Sequence, residues 1–135
     1  MKRVLIGLGL TLASVTAFAG KAEREYMKDS VQPAIKEAET KFKAACGCAL
    51  KIVATDSLKT QDDMAQAKNT ANSVTENAEK YCSDDASKKA MCQLKTIEVV
   101  KGKETKFEFK GGKGTCTTDG QSYVHWDMIT RELDK

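Results

Sequence analysis

Apolar residues recur through the first third of the chain at Met27, Val31, Ile35, Ala38, Phe42 and Ala45, in steps of three and four. That spacing lines one face of a helix. Ser30 can cap such a helix and put Pro33 in its first turn, where a missing N–H costs little. The pattern therefore predicts a main helix over about residues 31–45, with a shorter helical arm ahead of it, and Gly47 is placed to end it in a left-handed conformation. Cys48, Leu50, Ile52 and Ala54 then alternate, as in a strand. Thr60-Gln61-Asp62-Asp63 has the form of a capping box with Asp where Glu is usual. Met64, Ala67, Ala71, Val74, Ala78 and Tyr81 follow as a second helical stripe, built mostly of small residues. Ser83-Asp84-Asp85 restarts a third, short helix through Ala86, Ala90, Met91 and Leu94.

From Lys95 the period changes to two. Ile97 and Val99 alternate, residues 101–104 (KGKE) turn the chain, and Phe107 and Phe109 alternate against Lys106, Glu108 and Lys110. This predicts a hairpin between those two strands. Residues 111–114 (GGKG) break it, residues 115–118 (TCTT) add a strand, and Asp119-Gly120 marks a tight turn. Tyr123 to Met128 reads as the last strand, with Val124, Trp126 and Met128 on one face, although Trp126, Ile129 and Leu133 also fit a short terminal helix. The expected class is α+β: two to three N-terminal helices packed on a small antiparallel β-meander of about four strands, stabilised by disulfides.

The N-terminus adds an expectation about compartment. Lys2 and Arg3 precede an apolar run from Val4, and Ala17-Phe18-Ala19 supplies an A-x-A ending. This is the layout of a cleaved secretory signal peptide over residues 1–19, leaving residues 20–135 as one domain in the periplasm or outside the cell. The apolar run is short for a bilayer span, and no second run of spanning length follows it, so no membrane span is expected after cleavage. The chain's formal net charge is +3, and Lys2 and Arg3 carry two of those charges. The remainder interleaves Lys with Glu, as in Glu37/Lys41 and Glu39/Lys43, which reads as a solvated helix face. A nucleic-acid partner, which would need a basic face, is not implied, and oligomeric state is left open.

Export bears on the five cysteines, Cys46, Cys48, Cys82, Cys92 and Cys116. A small domain in an oxidising compartment uses cysteines as cross-links because its core alone is marginal. Five is odd, so two disulfides leave one thiol over. The element order favours Cys82–Cys92 as a brace between the second and third helices, with Cys46 or Cys48 reaching Cys116 to tie the helices to the meander. Cys46-Gly47-Cys48 can also be read as a redox centre. Its position at a helix C-terminus disfavours a thiolate, however, and both cysteines fall on faces that read as buried. Zinc is disfavoured because only one close pair exists and its spacing is below the usual range. The GGKGT stretch lacks the phosphate-loop spacing, with Phe107 where a glycine is needed.

No catalytic group, metal or cofactor is assigned. Tyr123, His125 and Asp127 share the outward side of the last alternating segment and form a candidate recognition surface. The reading is a small exported, disulfide-stabilised protein that binds a protein partner, of inhibitor or immunity type. The alternatives are a thiol–disulfide protein using Cys46 and Cys48, or a structural component of the cell envelope.

Overall fold

The helical arm expected ahead of residue 31 forms, and it runs without interruption into the main helix from Lys21. The computed structural model describes residues 20–134, so the signal segment read over residues 1–19 lies outside the described residues. Helix α1 is α-helical over Lys21–Tyr26, π-helical over Met27–Val31 and α-helical again over Gln32–Cys46, without a break. Ser30 does not cap it. Pro33 has no N–H and crowds the carbonyl of Asp29 four residues back, and in a regular α-helix this would break the ladder. The chain instead widens by one residue, with the Gln32 N–H bonding the Met27 carbonyl, and continues. Val31, Ile35, Ala38, Phe42 and Cys46 are buried along one face. Gly47, at φ 80°, ends the helix as expected.

β1 (Lys51–Ala54) carries the chain back to the start of α2 (Gln61–Tyr81), so α1 and α2 end side by side. The capping box at Thr60 forms in full. The Asp63 N–H donates to Thr60 Oγ1 at 3.1 Å, and the Thr60 N–H to Asp63 Oδ2 at 3.3 Å. Ala67, Ala71 and Ala78 are fully buried on α2, and their small side chains allow close packing against α1. Asp84 caps the short α3 (Asp85–Met91) through a 2.7 Å bond from the Ser87 N–H.

The remaining strands are β2 (Thr96–Lys101), β3 (Lys106–Lys110) and β4 (Lys113–Thr118), and the last helix is α4 (Trp126–Leu133). The chain is α+β, but the sheet is mixed and not the expected antiparallel meander. Its order is β1-β2-β4-β3, with β1, β2 and β4 parallel and β3 antiparallel to β4. The predicted hairpin between the Ile97/Val99 and Phe107/Phe109 strands does not form. β4 lies between them, so that Val99 and Phe107 are both register partners of Cys116. The hairpin turn is at Gly111-Gly112, where both φ values are positive (58° and 82°). That is the two-residue geometry that joins antiparallel neighbours directly.

A Cβ on Gly114 would lie 2.6 Å from the Phe107 ring and 3.0 Å from Leu94, so glycine there lets that ring cross the central strand. The final segment is helical over Trp126–Leu133, a correction to the strand read over Tyr123 to Met128.

Ile52, Ile97, Val99, Phe107 and Cys116 point into one core with residues of α1, α2 and α4. Trp126 is at its centre, 6.3 Å from Phe42 and 6.0 Å from Tyr81 between ring centroids. The other sheet face carries Lys51, Glu98, Lys106, Glu108, Lys110, Lys113 and Thr115.

Asp63 is the one buried carboxylate among the described residues. Its Oδ1 accepts from Lys101 Nζ at 2.8 Å, and its Oδ2 accepts from the N–H groups of Lys59 and Thr60. Burial alone would raise its pKa. The Lys101 hydrogen bond, the two N–H groups and the Lys101 charge outweigh burial and hold the carboxyl below its ordinary value.

The cross-links are Cys46–Cys82 and Cys48–Cys92. Neither predicted pairing forms. Cys46 closes α1 and Cys82 follows α2, so the shared ends of those helices bring the two together. Cys48, two residues on, reaches Cys92 at the end of α3. Cys116 is the free thiol, 1% exposed in the central strand. Burial pushes its pKa well above that of an ordinary thiol. Two disulfides fit an oxidising, exported environment.

Candidate recognition surface

Tyr123, His125 and Asp127 do face outward together, although the segment carrying them is not a strand. Val124 and Trp126 are each 1% exposed and alternate with them. Two hydroxyls of α2 hold this alternation in place. Thr70 Oγ1 donates to the Val124 carbonyl at 2.9 Å, and Ser73 Oγ accepts from the Trp126 N–H at 2.8 Å. These take the place of a ladder partner for an extended stretch that pairs with no strand. His125 is the extended residue that leads into α4, and Asp127 lies in the helix's first turn, where a carboxylate suits the dipole.

Ahead of this stretch, Asp119 Oδ1 accepts from the N–H groups of Gln121 and Ser122, which close the turn. The same two N–H groups hold its carboxyl below the ordinary range. Thr105, just before β3, bonds the Ser122 hydroxyl at 2.6 Å, which fastens the loop to the sheet.

The three side chains are linked. The Tyr123 and His125 rings meet edge to face at 6.2 Å, and His125 Nδ1 stands 4.0 Å from Asp127 Oδ2. His125 and Asp127 are 46% and 67% exposed, and Tyr123 is the exposed large apolar residue among those described, at 36%.

A fourth member, Tyr81, was read from the sequence only as the last position of the α2 stripe. Its ring packs on Trp126, while its hydroxyl donates to Asp127 Oδ1 at 3.2 Å. Desolvation raises its pKa, and the Asp127 carboxylate adds to the rise, with a smaller contribution from Asp134. Lys80 Nζ lies 5.4 Å above the same ring. The available signal was position. An aromatic residue with a polar tip, beside Lys80 at the end of a stripe of alanines, is suited to leave the core by its hydroxyl end.

Chemically, the four side chains offer aromatic area and hydrogen-bonding groups on a backbone fixed by buried Val124 and Trp126. The cysteines lie apart in role. Four are cross-linked and the fifth is enclosed in the core. Among the described residues no group of three or more His, Cys, Asp or Glu side chains could hold a metal ion, and no helix is long and apolar enough to cross a membrane. No protein-family model, curated protein or solved structure matches the chain.

Proposed function

We propose that this protein is exported and acts by binding another protein, with Tyr81, Tyr123, His125 and Asp127 at the centre of the contact. The observation that carries the reading is rigidity under an exposed aromatic patch. Tyr123 and His125 stand on backbone clamped by Thr70 and Ser73, next to a fully buried Trp126. Tyrosine held with little conformational freedom gives large contact area at small entropic cost on binding. The two cross-links support the same role, because they keep a small domain folded outside a reducing compartment. A binding module of inhibitor or immunity type, working without turnover, fits this arrangement.

The test is position-specific photo-crosslinking in native extract, with the photoreactive residue at Tyr123 in one sample and at Thr115, on the open sheet face, in another. One protein captured in stoichiometric yield at position 123 only, whose activity changes on adding the purified chain, is the expected result. Equal capture at both positions, or capture at position 123 that survives alanine at both His125 and Asp127, overturns it.

A further inference from the structure

The two-residue loop Gly111-Gly112 makes Lys110 and Lys113 the hydrogen-bonded pair that closes the β3–β4 hairpin. Bonded and non-bonded pairs alternate along an antiparallel ladder. The backbone groups of Lys106, Glu108 and Lys110 therefore turn towards β4, and those of Phe107 and Phe109 turn the other way. On that side no further strand pairs with β3; α4 packs against β3, but no described group accepts from either N–H. The opposite edge is treated differently, since the Ile52 N–H of β1 is taken by Glu39 Oε2 at 2.8 Å.

The open-face side chains of the β3 edge read Lys106, Glu108, Lys110, all exposed. Lysine on an edge strand normally discourages pairing, but its alternation with glutamate changes the outcome for one partner, an identical strand. A second copy laid antiparallel about a two-fold axis at Phe107 exchanges both Phe107 backbone bonds. It also sets each Lys106 opposite Glu108 of the other copy. Moving the axis to Glu108 brings Lys106 against Lys110 and Glu108 against Glu108. Moving it to Phe109 keeps opposite charges facing but runs the incoming strand onto the Gly111 turn.

We propose that the unpaired outer edge of β3 pairs antiparallel with β3 of a second copy, joining the two sheets into one, with crossed Lys106–Glu108 pairs setting the register. This rests on the strand edge and its charges, independently of the role given to Tyr123 and His125.

Sedimentation velocity over a concentration series, on protein with both disulfides formed, tests it. The wild type should dimerise reversibly. Lys106→Glu or Glu108→Lys alone puts like charges opposite at two places and should weaken the dimer by about tenfold or more. The double variant Lys106→Glu/Glu108→Lys restores both pairs and should bring the dissociation constant back to near the wild-type value. Both residues are exposed, and circular dichroism checks that each variant is folded. A wild type that stays monomeric at the highest concentration reached, single variants that dimerise like the wild type, or a folded double variant that does not recover would each overturn the proposal.

Discussion

Replacing Asp63 by alanine should be among the most damaging single changes on a polar residue, and its cost can be built from the contacts. The side chain is 4% exposed and accepts three hydrogen bonds, one from Lys101 Nζ and two from backbone N–H groups. A hydrogen bond to a charged group contributes about 1.5–3 kcal/mol, and a capping interaction about 0.5–2 kcal/mol. Lys101 is 39% exposed, so once orphaned it stays solvated. The full penalty of about 3–5 kcal/mol for breaking a wholly buried pair therefore does not apply. The expected loss is about 2–4 kcal/mol.

Asparagine keeps the shape and one acceptor, so Asp63→Asn should cost less, about 1–2 kcal/mol. pH separates charge from shape. Because the folded carboxyl titrates below its ordinary value, its stabilisation is complete above the unfolded pKa of about 3.9 and is lost as pH falls through the folded pKa. Urea unfolding followed by circular dichroism, from near neutrality down to about pH 2, should show the gap between wild type and Asp63→Asn shrink with acid. A gap that is constant with pH, or an alanine variant within about 0.5 kcal/mol of wild type as for a plain surface change, refutes the reasoning.

Opening either disulfide by paired Cys→Ala substitution should cost about 2–4 kcal/mol from loop entropy, and the melting temperature of each variant checks this; peptide mapping should return Cys46–Cys82 and Cys48–Cys92 intact in the wild type. Cys116 should resist alkylation until the chain unfolds, and Cys116→Ser should destabilise by about 1–3 kcal/mol through burying a hydroxyl while leaving both cross-links in the mass map. Gly114→Ala forces a methyl against the Phe107 ring and should cost about 1–3 kcal/mol in chemical denaturation, with partial recovery when Phe107→Leu is added. In Asp127→Asn the Tyr81 phenol, followed by NMR, should titrate at lower pH than in the wild type, because the carboxylate that opposes its ionisation is gone.

The helices were legible because their signals are local. The Thr60–Asp63 box, the α2 stripe and Gly47 each depend on residues within a turn or two of one another. Faces were legible too. The in–out alternation from Tyr123 to Asp127 holds even though the segment bonds to α2 hydroxyls and to no strand. Neighbours were not legible. Ile97/Val99 and Phe107/Phe109 both alternate correctly, yet alternation says which side a residue faces and nothing about which strand lies beside it. The Gly111-Gly112 loop carried that information, but it reads equally well as a break. The disulfide pairs depend on α1 and α2 ending together, a consequence of β1's direction that no local spacing records. Tyr81 was hidden by belonging to two sets at once, packing in the core by its ring and reaching the surface patch by its hydroxyl.

The central position of β4 has a consequence for how the chain is made. β2 and β3 are synthesised before β4, yet neither pairs with the other. β2 has β1 on one side, but its other edge, and β3 altogether, gain a strand neighbour only when residues 113–118 arrive between them. A chain emerging N-terminus first, from a ribosome or through a membrane, therefore holds the facing edges of β2 and β3 unsatisfied until residue 118 is out. β4 acts as the keystone of the sheet, and the sheet cannot close before it. Nascent chains stalled before Lys113 should accordingly be open to proteolysis, whatever helices they have already formed.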